Sequence, residues 1–398
     1  FILATEVLAS ALLNHPDIKG IRIDQSEFLL SQFADDMKLL LEDDVKSFRV
    51  CFEVLDFFAD CSGLQINYDK TVVVRLGANV DTRYLEDRGL KWQFRGKFKM
   101  LGIIYDLNCN DYTAENFEKG AKAFESSLNA WSARNLTVYG RITVIKSLAL
   151  SKLVHLFTSL PTPSMEFIQR LQRKCFQFIW SGKVDKIKRT TMYNGYEEGG
   201  FKVPNIEMFC KALKISWVKR LTSHYEDPPK WLILFATSTA DFGGHIIWSS
   251  TVRNPPFLKK LNPFWRDVYD AWFYLASFYE GSLDNSEETE FLSESIFYNK
   301  NITSKGVPFF YREWWDNQIV YLNDLVDETG KFYDFESLRR DNYLETTHFL
   351  QYASVLAAIP GKWKRSIQKN AHKLEEFDDR PSLRIIRNIA KPSRFFYQ

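Results

Sequence analysis

The stretch Leu29-Leu30-Ser31-Gln32-Phe33-Ala34-Asp35-Asp36-Met37-Lys38-Leu39-Leu40-Leu41 decides how the chain is read. Two adjacent carboxylates interrupt a run that is apolar on both sides. The pattern predicts strand, tight turn, strand: Phe28 to Phe33 climbs, Ala34-Asp35-Asp36 turns, and Met37 to Leu41 returns. Such a hairpin lifts Asp35 and Asp36 to its tip and is expected to hold them rigidly against a buried sheet. Paired carboxylates on a stiff support suit phosphoryl transfer, in which two divalent ions roughly 3.5–4 Å apart activate the attacking oxygen and steady the leaving one. Hard oxygen donors favour Mg²⁺ or Mn²⁺. The plain reading stands beside it, because Asp also bonds local backbone in ordinary turns. Asp-Asp recurs at Asp43-Asp44 and Asp378-Asp379.

Working outward, 398 residues leave room for two or three domains, each with its own core. A hydrophobic fraction of 45% and an aromatic fraction of 16% exclude disorder. Cys51, Cys61, Cys109, Cys175 and Cys210 form no close pair, and the histidines have no metal-ligand spacing. A reducing compartment, nuclear or cytoplasmic, is therefore expected. Phe1 to Leu13 lacks a basic leader and is interrupted by Glu6, so it is not read as a signal peptide. No window reaches 18 apolar residues, so no membrane partner is expected. Asn135-Leu136-Thr137 and Asn301-Ile302-Thr303 match glycosylation acceptors, but nothing else points to secretion. The chain starts at Phe1 and reads as a fragment of something longer.

The net charge of +2 is unevenly spread. Residues 1–114 carry 13 Lys/Arg against 18 Asp/Glu, residues 115–220 carry 18 against 8, and residues 221–398 carry 21 against 24. A basic centre between acidic flanks is an electrostatic footprint for a phosphate backbone, or else a solvated lysine-rich helical surface. The densest basic run, Lys183 to Arg189, reads as a nucleic-acid or nuclear-localisation-like patch or as a solvated loop.

Phe1 to Asn14 is predicted as a helix burying Ile2, Leu3, Leu8, Leu12 and Leu13. Lys19 to Ile23 is predicted as a strand. A helix from Val45 to Cys61 places Phe48, Phe52, Leu55 and Phe58 on one face, with Gly63 as its cap. The β-branched segment Thr71 to Leu76 is expected to be a buried strand. Asp106 to Asp111 resembles a calcium loop but lacks Gly at its sixth position and Glu at its twelfth, so a polar connection is expected. From 115 the period becomes helical, through Phe117, Ala121, Phe124, Leu128 and Trp131. Thr137 is a candidate cap for a helix bearing Ile142, Ile145, Ala149, Leu153 and Leu156. A third helix carries Ile168, Leu171, Cys175 and Phe178, with Arg170, Arg173 and Lys174 opposite. A fourth carries Ile206, Phe209, Leu213 and Trp217, with Lys211 and Lys214 outside. Beyond Leu221, Trp265, Trp272, Phe309, Phe310, Tyr311, Trp314 and Trp315 read as core, in preference to base-stacking surfaces.

Five pieces in order carry a family resemblance. Phe33-Ala34-Asp35-Asp36 resembles the (Phe/Tyr)-Ala-Asp-Asp signature of reverse transcriptases. Gly63 to Thr71, with Asn67 and Lys70, resembles the following palm motif, and Phe98-Lys99-Met100-Leu101-Gly102-Ile103 resembles the hairpin that grips the primer. Trp131, Arg134, Leu136 and Gly140-Arg141 resemble a thumb pattern. Gly199 to Asn205 resembles the Gly-Gly turn after the thumb in LINE-type (non-LTR) retrotransposon polymerases. Asp324-Leu325 to Gly330-Lys331-Phe332 resembles an element of the linker beyond it.

The resemblance implies an α+β chain: a partial reverse-transcriptase palm over 1–112, a helical thumb over 113–225, and an aromatic-rich, mostly helical region over 226–398. It implies Asp35 and Asp36 as catalytic ligands of Mg²⁺ or Mn²⁺, Lys70 at the deoxynucleoside triphosphate, and Phe98, Lys99, Met100, Leu101 and Gly102 at the primer. Arg141, Lys146, Arg170, Arg173 and Lys174 would meet the RNA template and DNA primer. The family's third carboxylate and its fingers lie upstream of what Phe1 begins, so the chain is expected to be inactive alone. The alternative expectation is a non-catalytic nucleic-acid-binding relic.

Overall fold

The structure is a computed structural model that describes residues 1–369, apart from 24–25, 43, 76–89, 95, 109–111, 222, 224–228, 284–289, 328 and 343. Asp43, Leu76, the end of the Asp106–Asp111 loop and Asp378-Asp379 lie outside the described residues. The fold is α+β, and the chain divides into two compact units, Phe1–Glu118 and Lys119–Gln398.

In the first unit, helix α1 (Ile2–Asn14) buries Thr5, Leu8, Ala9 and Leu12, a stripe at helical spacing. Ile2, Leu3 and Leu13, expected inside, are exposed, because the chain packs on a different face of the helix. Strands β1 (Ile21–Ile23) and β2 (Ser26–Phe28) pair antiparallel, followed by β3 (Leu30–Phe33) and β4 (Asp36–Leu39). A bridge between Gly20 and Leu41 ties the two hairpins together. Helix α2 (Val45–Ser62) opens with the Asp44 side chain accepting from Lys46 N and closes on Gly63 at φ 73°, as its spacing predicts. Its Cys51, Phe52 and Leu55 join Leu8, Leu12, Ile18 and Leu29 in the core.

Strand β5 (Val72–Arg75) pairs parallel with β6 (Lys91–Phe94), and Val72 is exposed, so this segment is not the buried strand its β-branching suggested. Strands β7 (Lys97–Met100) and β8 (Ile103–Asp106) form a hairpin through Leu101 and Gly102, both at positive φ. Among the described residues the strands pair two by two in small sheets.

The second unit is helical, beginning within α3 (Thr113–Ser132), whose Ala121, Phe124 and Leu128 are buried. The helix expected after Thr137 is broken by a π-turn. Helix α4 (Val138–Val144) passes into π-helical Ile145–Ala149 and bends 48° into α5 (Ser151–Ser159). The π-turn keeps Ile142, Ile145, Ala149 and Leu153 all on the buried side. Helix α6 (Met165–Ile179) starts on the Ser164 hydroxyl, which accepts from Phe167 N, and buries the predicted Ile168, Leu171, Cys175 and Phe178. After the short α7 (Arg189–Tyr193) comes α8 (Ile206–Leu221).

Helix α8 buries Ile206, Cys210, Lys214, Ile215 and Val218, a broader surface than the predicted seam, because it packs on α5 and α6 and also on α10 (Pro263–Leu283), which follows α9 (Lys230–Thr239). Lys214, expected outside, is therefore interior. The aromatic region shares that core: Trp272, Phe309 and Trp314 are buried, with Trp265, Phe310, Tyr311 and Trp315 packed against them. Asp324 Oδ2 accepts from Val320 N and Tyr321 N, and Asp327 Oδ1 accepts from Thr329 N and Lys331 N, so the Asp-Leu…Gly-x-Phe element is a hydrogen-bonded turn. Among the described residues no single helix is long and apolar enough to cross a bilayer. The thiols of Cys51, Cys175 and Cys210 are buried and pushed up to about 12 by desolvation, whereas Cys61 is exposed.

Candidate functional site

The hairpin tip is built by strand alternation and one strained residue. Register pairs Leu30 with Leu39 and Gln32 with Met37, and Leu30, Met37 and Leu39 lean on the α1–α2 core. The opposite face carries Ser31, Lys38, and the pair Phe33 and Asp36. That face is open: Phe33 is 69% exposed, and Asp35 and Asp36 are both exposed. The turn is two residues, Ala34-Asp35, one shorter than expected, with Asp36 as the first residue of β4. Ala34 adopts φ 54°, a left-handed conformation that costs a residue with a Cβ about 1–2 kcal/mol. Gln32 Nε2 donates to Ala34 O at 3.2 Å and braces the tip.

Among the described residues no group of three or more His, Cys, Asp or Glu side chains is placed to hold a metal. Two carboxylates from one turn fit a single Mg²⁺ or Mn²⁺, which takes one or two carboxylates and fills its remaining positions with water and phosphate oxygens. They are too few for a two-ion centre.

Lys70 is exposed at the end of a turn that Asn67 organises. Asn67 Oδ1 accepts from Lys70 N at 3.1 Å, and its carbonyl accepts from Thr71 N and Thr71 Oγ1. The Asn-x-x-Lys-Thr spacing is thus a local turn that leaves the ammonium in solvent. On the β7–β8 hairpin Phe98 stacks on Tyr105 at 5.4 Å, with Lys99 and Met100 on β7 and Leu101-Gly102 at the turn. Asn116, buried on α3, clamps β8: its Oδ1 accepts from Ile104 N at 2.8 Å and its Nδ2 donates to Ile104 O at 2.7 Å. This amide imitates a neighbouring strand, and no sequence motif announced it.

The basic residues divide. Arg141 is buried: its Nη1 donates to Phe178 O at 2.8 Å and its Nε to Leu136 O at 3.4 Å. A phosphate contact needs an accessible guanidinium, and this one joins α4 to the end of α6. Arg134 lies 4.5 Å over the Trp131 ring, and Thr137 Oγ1 accepts from Gly140 N, so the Trp…Arg-x-Leu-Thr-x-x-Gly-Arg pattern is a helix-start scaffold. Arg173 is exposed. Lys174 pairs with Glu125 at 3.4 Å, and Arg170 lies 4.9 Å over the Phe167 ring, half-buried. Lys146 is half-buried on the π-turn, and burial, with a smaller contribution from the Lys202 charge, holds its pKa below the usual lysine value.

The Gly199–Asn205 segment is a turn pinned to its neighbours. Lys202 N donates to Asn194 O, Phe201 N and Val203 N to Met192 O, and Asn205 Oδ1 accepts from Met208 N to start α8. A Cβ on Gly200 would lie 2.2 Å from Asn194 O, so only glycine fits there. Beside it the rings of Tyr139, Tyr196 and Phe201 gather, a cluster that sequence reasoning passed over.

No family model matches the chain. The chain is similar to a transposon protein. Over 355 residues it is 24% identical to the transposon TX1 uncharacterized 149 kDa protein of Xenopus laevis. The match covers 85% of this chain and 26% of that protein, so the chain spans about a quarter of the length of the relative.

Proposed function

We propose that this chain is the C-terminal part of the polymerase of a LINE-type retrotransposon, a reverse transcriptase that copies RNA into DNA. The observation that carries the reading is the hairpin tip, where a strained two-residue turn holds Asp35 and Asp36 side by side in solvent. Similarity to a transposon protein along most of the chain supports it.

In the intact protein, Asp35 and Asp36 would hold Mg²⁺ or Mn²⁺, which would supply charge to neutralise phosphate oxygens and to lower the pKa of the primer hydroxyl. Lys70 supplies a point charge to the incoming deoxynucleoside triphosphate, and the Phe98–Gly102 hairpin positions the primer. Lys146, Arg170, Arg173 and Lys174 grip the hybrid backbone without sequence preference. Arg141 is left out of that surface because its guanidinium is committed inside.

The expected test is primer extension on an RNA template with Mg²⁺, using this chain and a version extended upstream. The extended form should synthesise DNA, and Asp35→Ala should abolish synthesis by at least about 100-fold, in line with the loss of a principal electrostatic group. Synthesis that survives Asp35→Ala together with Asp36→Ala would sink the assignment. A second reading is a non-catalytic nucleic-acid-binding relic, which would use the exposed basic side chains such as Arg173 without the chemistry. It predicts hybrid binding that weakens steeply with salt while neither form extends a primer.

A further inference from the structure

On the second unit three aromatic rings line an open concavity of about 520 Å³ together with the backbone of Gly199-Gly200. That volume lies within the range of ligand pockets, roughly 300–1,000 Å³. Tyr139 and Tyr196 are 55% and 53% exposed. Their centroids are 6.1 Å apart at 55°, and Tyr139 lies 5.2 Å from Phe201 at 35°. Folding ordinarily hides rings of this size, and here two stand open on a surface whose backbone is fixed. Tyr139 sits in the first turn of α4. Tyr196 sits in a loop closed by Gly200 N donating to Gly195 O and Gly199 N donating to Tyr196 O. Gly200 lies so close to Asn194 O that no side chain fits there, and the loop needs glycine at that position.

Lys202 Nζ stands 4.8 Å from the Tyr196 ring centroid, while Glu197 and Glu198 are exposed on the same loop; none of the three lines the concavity. The cluster lies within the basic segment 115–220, which carries 18 Lys/Arg against 8 Asp/Glu. We propose that Tyr139, Tyr196 and Phe201 form a stacking site for an unpaired nucleobase of a single-stranded RNA or DNA, with Lys202 meeting the adjoining phosphate. Every base has a face that can lie on an aromatic ring, so such a site holds single strands without reading sequence. The 55° angle between the tyrosines excludes a base sandwiched between them, and the base therefore lies on one ring with the other at its edge. A paired base inside a duplex offers no face, so the site separates single strands from hybrid. The inference needs nucleic acid as the partner but not catalysis, and it stands or falls apart from Asp35 and Asp36.

The test is fluorescence anisotropy with the full chain and three labelled 12-mers: oligo(A), an abasic strand with the same phosphates, and a blunt duplex. Oligo(A) should bind more tightly than the abasic strand. Tyr196→Ala and Tyr139→Ala should each weaken oligo(A) binding about 5- to 100-fold while leaving the abasic strand unchanged. Tyr196→Phe should retain binding, since it keeps the ring, and Lys202→Gln should lower the salt slope by about one. Unchanged circular dichroism would show that the alanine variants fold. Equal binding of oligo(A) and abasic strand by the wild-type chain overturns the proposal, as does oligo(A) binding unaffected by both alanine variants. Loss of binding to a proline-rich peptide in Tyr196→Ala, with oligo(A) binding intact, would also overturn it and make the cleft a peptide groove.

Discussion

Burying the Lys214 ammonium between the Leu160 carbonyl, to which it donates, and the Phe264 ring lowers its pKa to about 8. Desolvation is the main cause, partly offset by Asp267, whose Oδ2 accepts from Thr162 N at 2.5 Å. Between about 8 and the ordinary value of 10.5, the unfolded chain holds a proton that the folded chain has released. The Lys214 contribution to stability therefore rises with pH across that window, by roughly 3 kcal/mol in total, and its penalty is present in full below it. Urea unfolding of wild type and Lys214→Met at pH 7.5 and pH 10 measures it. The buried cysteines lower the stability of both above pH 9. The wild type should gain on the variant by roughly 2–3 kcal/mol, whereas a difference between them that does not change with pH would overturn the assignment. Asn116 is a second such residue. Its replacement by alanine strands the Ile104 amide and carbonyl, and should cost about 1–3 kcal/mol in the same experiment.

At the scale of the element, helix spacing was the most readable feature of the sequence. Residues 45–62, 113–132 and 165–179 follow their apolar period, the first of them closes on the predicted Gly63, and the predicted Thr137 caps Val138–Val144. What was hidden came from competition between neighbours. Which face of α1 is buried, and whether Lys214 lies inside, depends on how many elements pack on a helix, and one helix's period does not contain that number. The π-turn at Ile145–Ala149 is likewise a compromise between two packing surfaces. The hairpin tip was legible because Ala34-Asp35-Asp36 interrupts an apolar alternation. Its backbone strain was not, since alanine does not advertise a positive φ. Ala34→Gly should relieve that strain and stabilise the first unit by up to about 1 kcal/mol, read as a raised melting midpoint. A lowered midpoint would mean that Ala34 is not strained.

Across the whole molecule, two compact units should give two thermal events where one would be expected of a single cooperative domain. Of the 11 tryptophans only Trp92 lies in Phe1–Glu118, so tryptophan fluorescence follows the second unit almost alone. Its melting curve should separate from the curve of far-ultraviolet circular dichroism, which sums both units; coincident curves would mean that they unfold together. Several motif residues that suggested function in the sequence, among them Asn67, Gly140, Arg141 and Asp324, hold turns and helix starts, and only the structure could separate these from the exposed Asp35, Asp36 and Lys70. The buried cysteines extend the division between the units into time. A thiol sealed from water reacts with a trapping reagent only when its surroundings open. Cys51 sits in the first unit and Cys175 and Cys210 in the second, so the chain carries its own pair of clocks. Pulses of alkylating reagent read by mass spectrometry would time the opening of each unit without any engineered probe, with exposed Cys61 marking zero.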